Sequence, residues 1–202
     1  MIIVHHLEKS RSQRVLWLLE ELELPYTIVR YARDPKTMMA PPELRQIHPL
    51  GKSPLIQDGA FTIPESGAIF EYLVEKADGR LGAPLNREGH LRYRQFLHYG
   101  EGSVMPLLMM HYMLGRIPVS GEQEQKTIRP SIELHFNYIE SELATRPWFA
   151  GDEFTAADVM MAGPLEASAM LGDGAGARPK IAEWLARAHA RPAYQKALAA
   201  GA

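Results

Sequence analysis

The sequence contains no cysteine. Structural disulfides are therefore excluded, and so is a protein-borne thiol nucleophile. Any sulfur chemistry must use a sulfur that a ligand brings. Long apolar runs are missing as well: no stretch of about 18 apolar residues occurs, so no membrane-spanning helix and no membrane partner are expected. Neither sign of charge dominates. The formal net charge of −2 offers no bulk attraction to nucleic acid. The opening residues, Met1-Ile2-Ile3-Val4-His5, lack a basic n-region and a signal h-region, and a cytoplasmic protein is the expectation. The eight histidines show no spacing typical of zinc. His5 and His6 are adjacent and cannot share one strand face, so no metal is expected.

What is present is an ordinary globular composition. The chain has 202 residues, 46% apolar and 23% charged, which fits one large domain or two small ones. Ile2-Ile3-Val4 is a short β-branched run that predicts a strand. Val15, Leu16, Leu18, Leu19 and Leu22 recur at helical spacing over Ser10 to Leu24, and Pro25 stops that helix. Tyr26 to Tyr31 is again strand-like. The resulting β-α-β unit implies parallel pairing. A proline-broken stretch follows, with one short helix near Glu43–Gln46. Leu55–Gln57 and Phe61–Ile63 then flank Asp58-Gly59, a hairpin signal. A helix from Ser66 to Lys76 carries Ile69, Phe70, Leu73 and Val74 as its apolar stripe.

Asp78 to Asn86 is turn-rich. After it strand signals vanish, and helices are expected over Arg87–Leu114, Glu122–Leu143, Ala156–Leu171, Pro179–Arg191 and Pro192–Ala200. Pro106 should kink the first of these. The expected division is an α/β domain over residues 1–78, a linker at 79–86, and an all-helical domain over 87–202.

Four patterns carry the candidate chemistry. Ser10 and Ser12 precede the first helix, where either is suited to cap it. A helix N-terminus also favours an anion, and a hydroxyl there can donate to a thiolate. Ser53-Pro54, directly before a strand, is a candidate cis peptide that leaves a backbone edge able to pair with an extended peptide. Pro64-Glu65-Ser66-Gly67 opens a helix whose amides suit a carboxylate, while Glu65 suits an ammonium group. Ser66 is positioned to cap it. Thr155 and Asp158 form a capping-box variant with a purely structural role. Around the predicted kink, Met105, Met109, Met110, His111, Tyr112 and Met113 form a stripe. It reads either as core or dimer contact or as a permissive apolar surface.

In this order the segments resemble the glutathione transferase family over nearly the whole chain. The resemblance rests on His48-Pro49-Leu50-Gly51-Lys52-Ser53-Pro54, on Glu65-Ser66, and on Phe149-Ala150-Gly151-Asp152 through Thr155-Ala156-Ala157-Asp158. A narrower likeness, to a fungal branch and its bacterial relatives, rests on Ser10-Arg11 before Trp17-Leu18-Leu19, on Ala40-Pro41-Pro42-Glu43-Leu44, and on Glu101-Gly102-Ser103 before Pro106. The implied fold is a thioredoxin-like domain (βαβ-ββα) followed by an all-α domain. The implied activity is conjugation of glutathione to small hydrophobic electrophiles. A glutathione-dependent peroxidase or disulfide reductase, and a non-catalytic binding protein, are the alternatives.

The family's activating residue is Ser, Cys or Tyr near the first strand. Tyrosine is excluded, because the first one is Tyr26. Counting back from Arg14-Val15 puts the usual place nearer Lys9. A one-residue change in loop length restores Ser10, with Ser12 in reserve. The resemblance further implies Ser53 and Pro54 beside the cysteinyl unit, and Glu65 and Ser66 on the γ-glutamyl end. Lys52 falls to the glycyl carboxylate, with His48 and Lys36 as lesser choices. It also implies a homodimer in which Glu101 reaches the partner's γ-glutamyl amine, a solvated helix face being the other reading of Glu101.

Overall fold

A computed structural model describes residues 1–117, 121–170 and 178–201. The first strand, β1 (Ile2–Leu7), runs beyond Val4 because His5, His6 and Leu7 also find partners. It pairs in parallel with β2 (Tyr26–Tyr31), from Ile2 opposite Tyr26 to Leu7 opposite Tyr31. On its other side β1 pairs antiparallel with β3 (Leu55–Asp58), which pairs antiparallel with β4 (Phe61–Pro64). The sheet order is β2-β1-β3-β4. Asp58 faces Phe61, so the hairpin turn is Gly59-Ala60, and Gly59 supplies the positive φ of 60° that the tight turn requires.

Helix α1 (Ser12–Glu21) is shorter at both ends than its periodicity predicts. At its C-terminal end Glu23 turns left-handed, with φ 52°, two residues before Pro25. At its N-terminal end the capping expectation is corrected. Arg11 holds the cap position, and no side chain caps the helix. Ser12 is instead turned inward and fully buried. Ser10 lies just ahead of the cap, and its Oγ accepts the Ser12 N–H at 3.2 Å. A four-residue α2 (Leu44–Ile47) and α3 (Ser66–Lys76) follow. Ile69, Phe70, Leu73 and Val74 are buried, as the spacing predicts. Ser66 is the first helical residue of α3 and so does not cap it; Glu65 occupies the cap position at φ 69°.

The long helix expected over Arg87–Leu114 is three pieces: α4 (Arg87–Tyr99), a π turn over Gly100–Val104, and α5 (Met105–Leu114). Pro106 has no N–H for the carbonyl four residues back, and its ring would strike that carbonyl. The wider turn absorbs both problems, and the Met105 N–H donates to the Gly100 carbonyl five residues back. Then come α6 (Gly121–Leu143), α7 (Ala156–Met170), α8 (Pro179–His189) and α9 (Pro192–Gly201). The predicted helix end at Leu171 lies outside the described residues. These elements form a thioredoxin-like α/β part followed by an all-helical part.

Two compact units result: Met1–Gly82 together with the residues from Ala190 on, and Ala83–His189. The return of the last helix to the first unit departs from the division expected over 87–202. Its reason is the packing of α9 along α1. Tyr194 meets Trp17 edge to face at 4.9 Å. The Arg191 guanidinium donates to both oxygens of Glu21, at 2.6 and 2.8 Å. The last carbonyls of α9, which a helix leaves without internal donors, are met by side chains of the sheet unit. Gln13 donates to Ala197 O at 2.7 Å, Arg30 to Ala200 O at 2.6 Å, and His6 Nε2 to Gly201 O at 3.1 Å. Arg191→Ala leaves the buried Glu21 carboxylate without a bidentate partner. The expected loss is about 1–3 kcal/mol, read as a melting temperature about 2–8 °C lower by circular dichroism.

In the second unit, Phe149 packs between Phe96 (4.7 Å between ring centres) and Trp184 (5.2 Å). Beside it the capping box is closed. The fully buried Asp158 accepts from Phe149 N and Thr155 N, each at 2.9 Å, and from Thr155 Oγ1 at 3.0 Å. Burial still pushes its carboxyl up to about 6.

Candidate active site

The sheet register gathers the candidate residues of the first unit at one end. His5 lies opposite Leu55, and Leu55 lies opposite Pro64. Ser53-Pro54, just before β3, and Glu65-Ser66, just after β4, therefore flank the end of β1 from which the Ser10 loop departs. The Ser53–Pro54 bond is cis. The Ser53 hydroxyl donates to the His5 carbonyl at 3.1 Å and lies 3.5 Å from Ser10 Oγ. Ser10 is half-buried, Glu65 and Lys52 are exposed, and Ser66 and Pro54 are buried.

The loop that carries Ser10 is held from outside. Lys9 is left-handed, at φ 50°. The Arg33 guanidinium donates to the carbonyls of Glu8 and Lys9, each at 3.0 Å, and to Met38 O at 2.8 Å. Sequence reasoning missed Arg33. A signal for it existed: once Leu7 pairs with Tyr31, residues 33 and 8–9 leave the sheet side by side. It missed His6 as well. The two adjacent histidines point to opposite faces of β1. His5 bonds to Tyr31 Oη and Gln57 Oε1, each at 2.9 Å. His6 bonds to Ser12 Oγ at 2.9 Å and to Gly201. Burial holds the His6 ring below the usual imidazole range.

The reserve residue has a different environment from Ser10. Ser12 Oγ lies within reach of His6 Nδ1, the Leu7 N–H at 3.2 Å and Ser10 Oγ at 2.8 Å, and it is shut off from solvent. At the start of α3, Ile69 N donates to Glu65 O at 2.9 Å. The amides of Ser66, Gly67 and Ala68 precede that first helical bond, as at any helix start. In the second unit Glu101 is half-buried in the π turn. On α5, Met105 and His111 are buried, while Met109, Met110, Tyr112 and Met113 are exposed. Among the described residues, no group of three or more His, Asp or Glu side chains is arranged to hold a metal ion, and no helix is long and apolar enough to cross a membrane.

A four-stranded thioredoxin-like sheet followed by a helical unit is an architecture that a known class of proteins shares. Within it, the model of the glutathione S-transferase N-terminal domain matches residues 10–76, and that of the C-terminal domain matches residues 103–192. Glutathione S-transferase 3 of Schizosaccharomyces pombe is 36% identical over 183 residues, covering 83% of this chain and 74% of that protein. The crystal structure of a glutathione S-transferase from Actinobacillus pleuropneumoniae is 29% identical with a TM-score of 0.89, covering 98% of this chain and 91% of that one. A glutathione transferase family member from Pseudomonas fluorescens, solved with two glutathione bound, shares the fold at 23% identity and a TM-score of 0.82, over 98% of this chain and 92% of that one. The chain belongs to the glutathione S-transferase family and is a transferase of that family.

Proposed function

We propose that the protein joins the sulfur of glutathione to small hydrophobic electrophiles, with Ser10 stabilising the thiolate. The observation that carries this reading is a half-buried hydroxyl at the strand end, 3.5 Å from Ser53 Oγ, in a chain that has no cysteine. A free thiol has a pKa near ~8.5, so only a few per cent is ionised at neutral pH. Lowering it by about two units takes about 2.7 kcal/mol. One hydrogen bond to a charged acceptor supplies roughly 1.5–3 kcal/mol, and the start of α1 adds ~0.3–1 kcal/mol. These two contributions suffice. The thiol loses its proton, the sulfur bonds to the electrophilic carbon, and a halide leaves with the bonding pair.

The remaining contacts belong to the same reading. The amides at the start of α3 take the γ-glutamyl carboxylate together with Ser66, and the exposed Glu65 takes its ammonium. Ser53, beside Pro54, offers its backbone to the cysteinyl unit. Lys52, exposed on the same loop, takes the glycyl carboxylate. The exposed methionines of α5 are soft and adaptable, which suits varied apolar electrophiles. The working form is a homodimer, with Glu101 reaching the partner's γ-glutamyl amine.

Assays with a chloronitroarene and with an organic hydroperoxide test the reaction class. Conjugation of the chloronitroarene is the expected result. Turnover of the hydroperoxide alone would make the protein a peroxidase, and no retention on glutathione resin would leave it a bare scaffold. Glu65→Gln removes the negative partner of the ammonium. It is expected to weaken glutathione binding about tenfold, the equivalent of roughly 1.4 kcal/mol, by isothermal calorimetry.

A further inference from the structure

Behind Ser10 runs a closed chain of polar groups. Ser10 Oγ lies 2.8 Å from Ser12 Oγ, which lies 2.9 Å from His6 Nδ1, while His6 Nε2 lies 3.1 Å from Gly201 O. Ser12 is fully buried and His6 is 3% exposed. The hydrogens along this chain can be assigned from its far end. A carbonyl only accepts, so His6 Nε2 carries a hydrogen. The neutral ring then presents Nδ1 as a bare acceptor, and Ser12 must donate to it. Two other acceptors lie within reach of the Ser12 hydroxyl, Ser10 Oγ at 2.8 Å and Leu7 O at 3.3 Å, but only donation to Nδ1 gives that buried ring nitrogen a hydrogen. Ser12 Oγ meanwhile accepts the Leu7 N–H. With its one proton committed to His6, Ser12 can only accept from Ser10. At rest every hydroxyl in the chain therefore points inward, from Ser10 to Ser12 to His6.

Resting on the assignment of Ser10 to the sulfur, we propose that His6 takes up the thiol proton of glutathione through Ser10 and Ser12. The S–H bond breaks and a new O–H bond forms on Ser10 Oγ. The former Ser10 proton passes to Ser12 Oγ, and the former Ser12 proton bonds to Nδ1 of His6. The electron pair of the S–H bond stays on sulfur. Every hydroxyl now points outward, so Ser10 donates to the thiolate it has just produced, and Ser12 donates to Ser10. No buried donor or acceptor is left unmatched in either direction. After the sulfur has bonded to carbon and the halide has gone, the imidazolium returns its proton to water along the same hydroxyls. The turnover as a whole releases one proton and one halide.

The surroundings of His6 can hold an imidazolium for as long as the thiolate that balances it persists. Its Nε2 donates to a carbonyl at the C-terminal end of α9, the end of a helix that favours positive charge. Burial, and behind it Arg30 on β2, bound to Ala200 O, oppose the extra proton and keep the ring neutral until the negative sulfur forms. His6 and Ser12 are thus positioning and relay groups that act on the substrate through Ser10.

Proton counting tests this directly. The parent protein is mixed with glutathione in weakly buffered indicator solution, and thiolate absorbance and released protons are followed together. S-methylglutathione, which has no thiol proton, supplies the background. The relay predicts that the parent forms thiolate while releasing well under half a proton per thiolate. It also predicts a His6 ring that changes from neutral to protonated in its nitrogen NMR signals when glutathione, but not S-methylglutathione, binds. In Ser12→Ala the full proton should appear in solution. A parent protein that releases one proton per thiolate with an unchanged His6 ring overturns the relay alone. If Ser10→Ala retains the parent's thiolate absorbance, the assignment of Ser10 falls, and the relay with it. The parent measurements stand even if Ser12→Ala does not fold.

Discussion

Ser10→Ala is expected to raise the pKa of the bound glutathione thiol by about one to two units and to slow conjugation at neutral pH about ten- to a hundredfold. The size follows from one lost hydrogen bond to a charged acceptor, roughly 1.5–3 kcal/mol, at 1.36 kcal/mol per pKa unit. Glutathione affinity at low pH, where the thiol is neutral, should change little, because Glu65, Ser66 and Lys52 hold the rest of the tripeptide in our reading. Thiolate absorbance against pH measures the shift, and the pH profile of kcat/KM should move by the same amount. At a pH above the new midpoint most of the lost rate should return. A variant that is equally slow at every pH would point to misplacement of the substrate rather than loss of the charge-stabilising hydroxyl. Ser10→Thr, which retains the hydroxyl, should recover part of the shift.

The second large effect belongs to folding. Asp158 accepts three hydrogen bonds inside the second unit, two of them from backbone amides with no access to water. Asp158→Ala strands those amides, each at about 1–3 kcal/mol, for a total of about 2–6 kcal/mol. Soluble yield and denaturant midpoint should fall steeply, while turnover per folded molecule stays near that of the parent. The ionisation of this carboxyl also has a definite sign. Its folded value is raised to about 6, above the ordinary value near ~3.9. The folded state therefore binds the proton more tightly than the unfolded chain does. That contribution to stability is full below pH ~4 and is lost as the pH rises through about 6. Asp158→Asn cannot ionise. The parent should accordingly lose about 2 kcal/mol relative to the Asn variant between pH 4 and pH 7, measured by urea unfolding at each pH.

Local rules were enough where the determinants are local. The apolar stripe of α3, the Asp58-Gly59 hairpin signal and the Thr155/Asp158 box each lie within a dozen residues, and each forms where expected, the hairpin turn falling one residue later on Gly59-Ala60. The segments Ser53-Pro54 and Glu65-Ser66 were legible for the same reason. Their arrival at one end of the sheet needed only the β-α-β and hairpin order. What escaped the sequence depends on contacts between distant residues. Ser12 looks like a cap, yet it turns inward because His6 and the Leu7 amide offer its hydroxyl a buried home. Arg33 looks like a solvated charge until the parallel register brings it against Glu8 and Lys9. The π turn reflects a conflict between Pro106 and a helix that continues on both sides of it. The destination of α9 was hidden most deeply. Its partners Gln13, Trp17 and Arg30 lie more than 150 residues away, and no periodicity reports on such a distance.

That destination also imposes an order of assembly on the growing chain. A ribosome delivers the four strands and α1 first, but the helix that covers α1 and the carbonyl that orients His6 follow more than 150 residues later. Until they emerge, the nascent sheet unit keeps Trp17 without Tyr194, Glu21 without Arg191 and the His6 ring without a fixed tautomer. The hydroxyls near the sulfur site thus acquire their alignment only once α9 has emerged, and a chain cut short before Ala190 would carry every proposed glutathione contact of the first unit yet lack the group that orients its proton path.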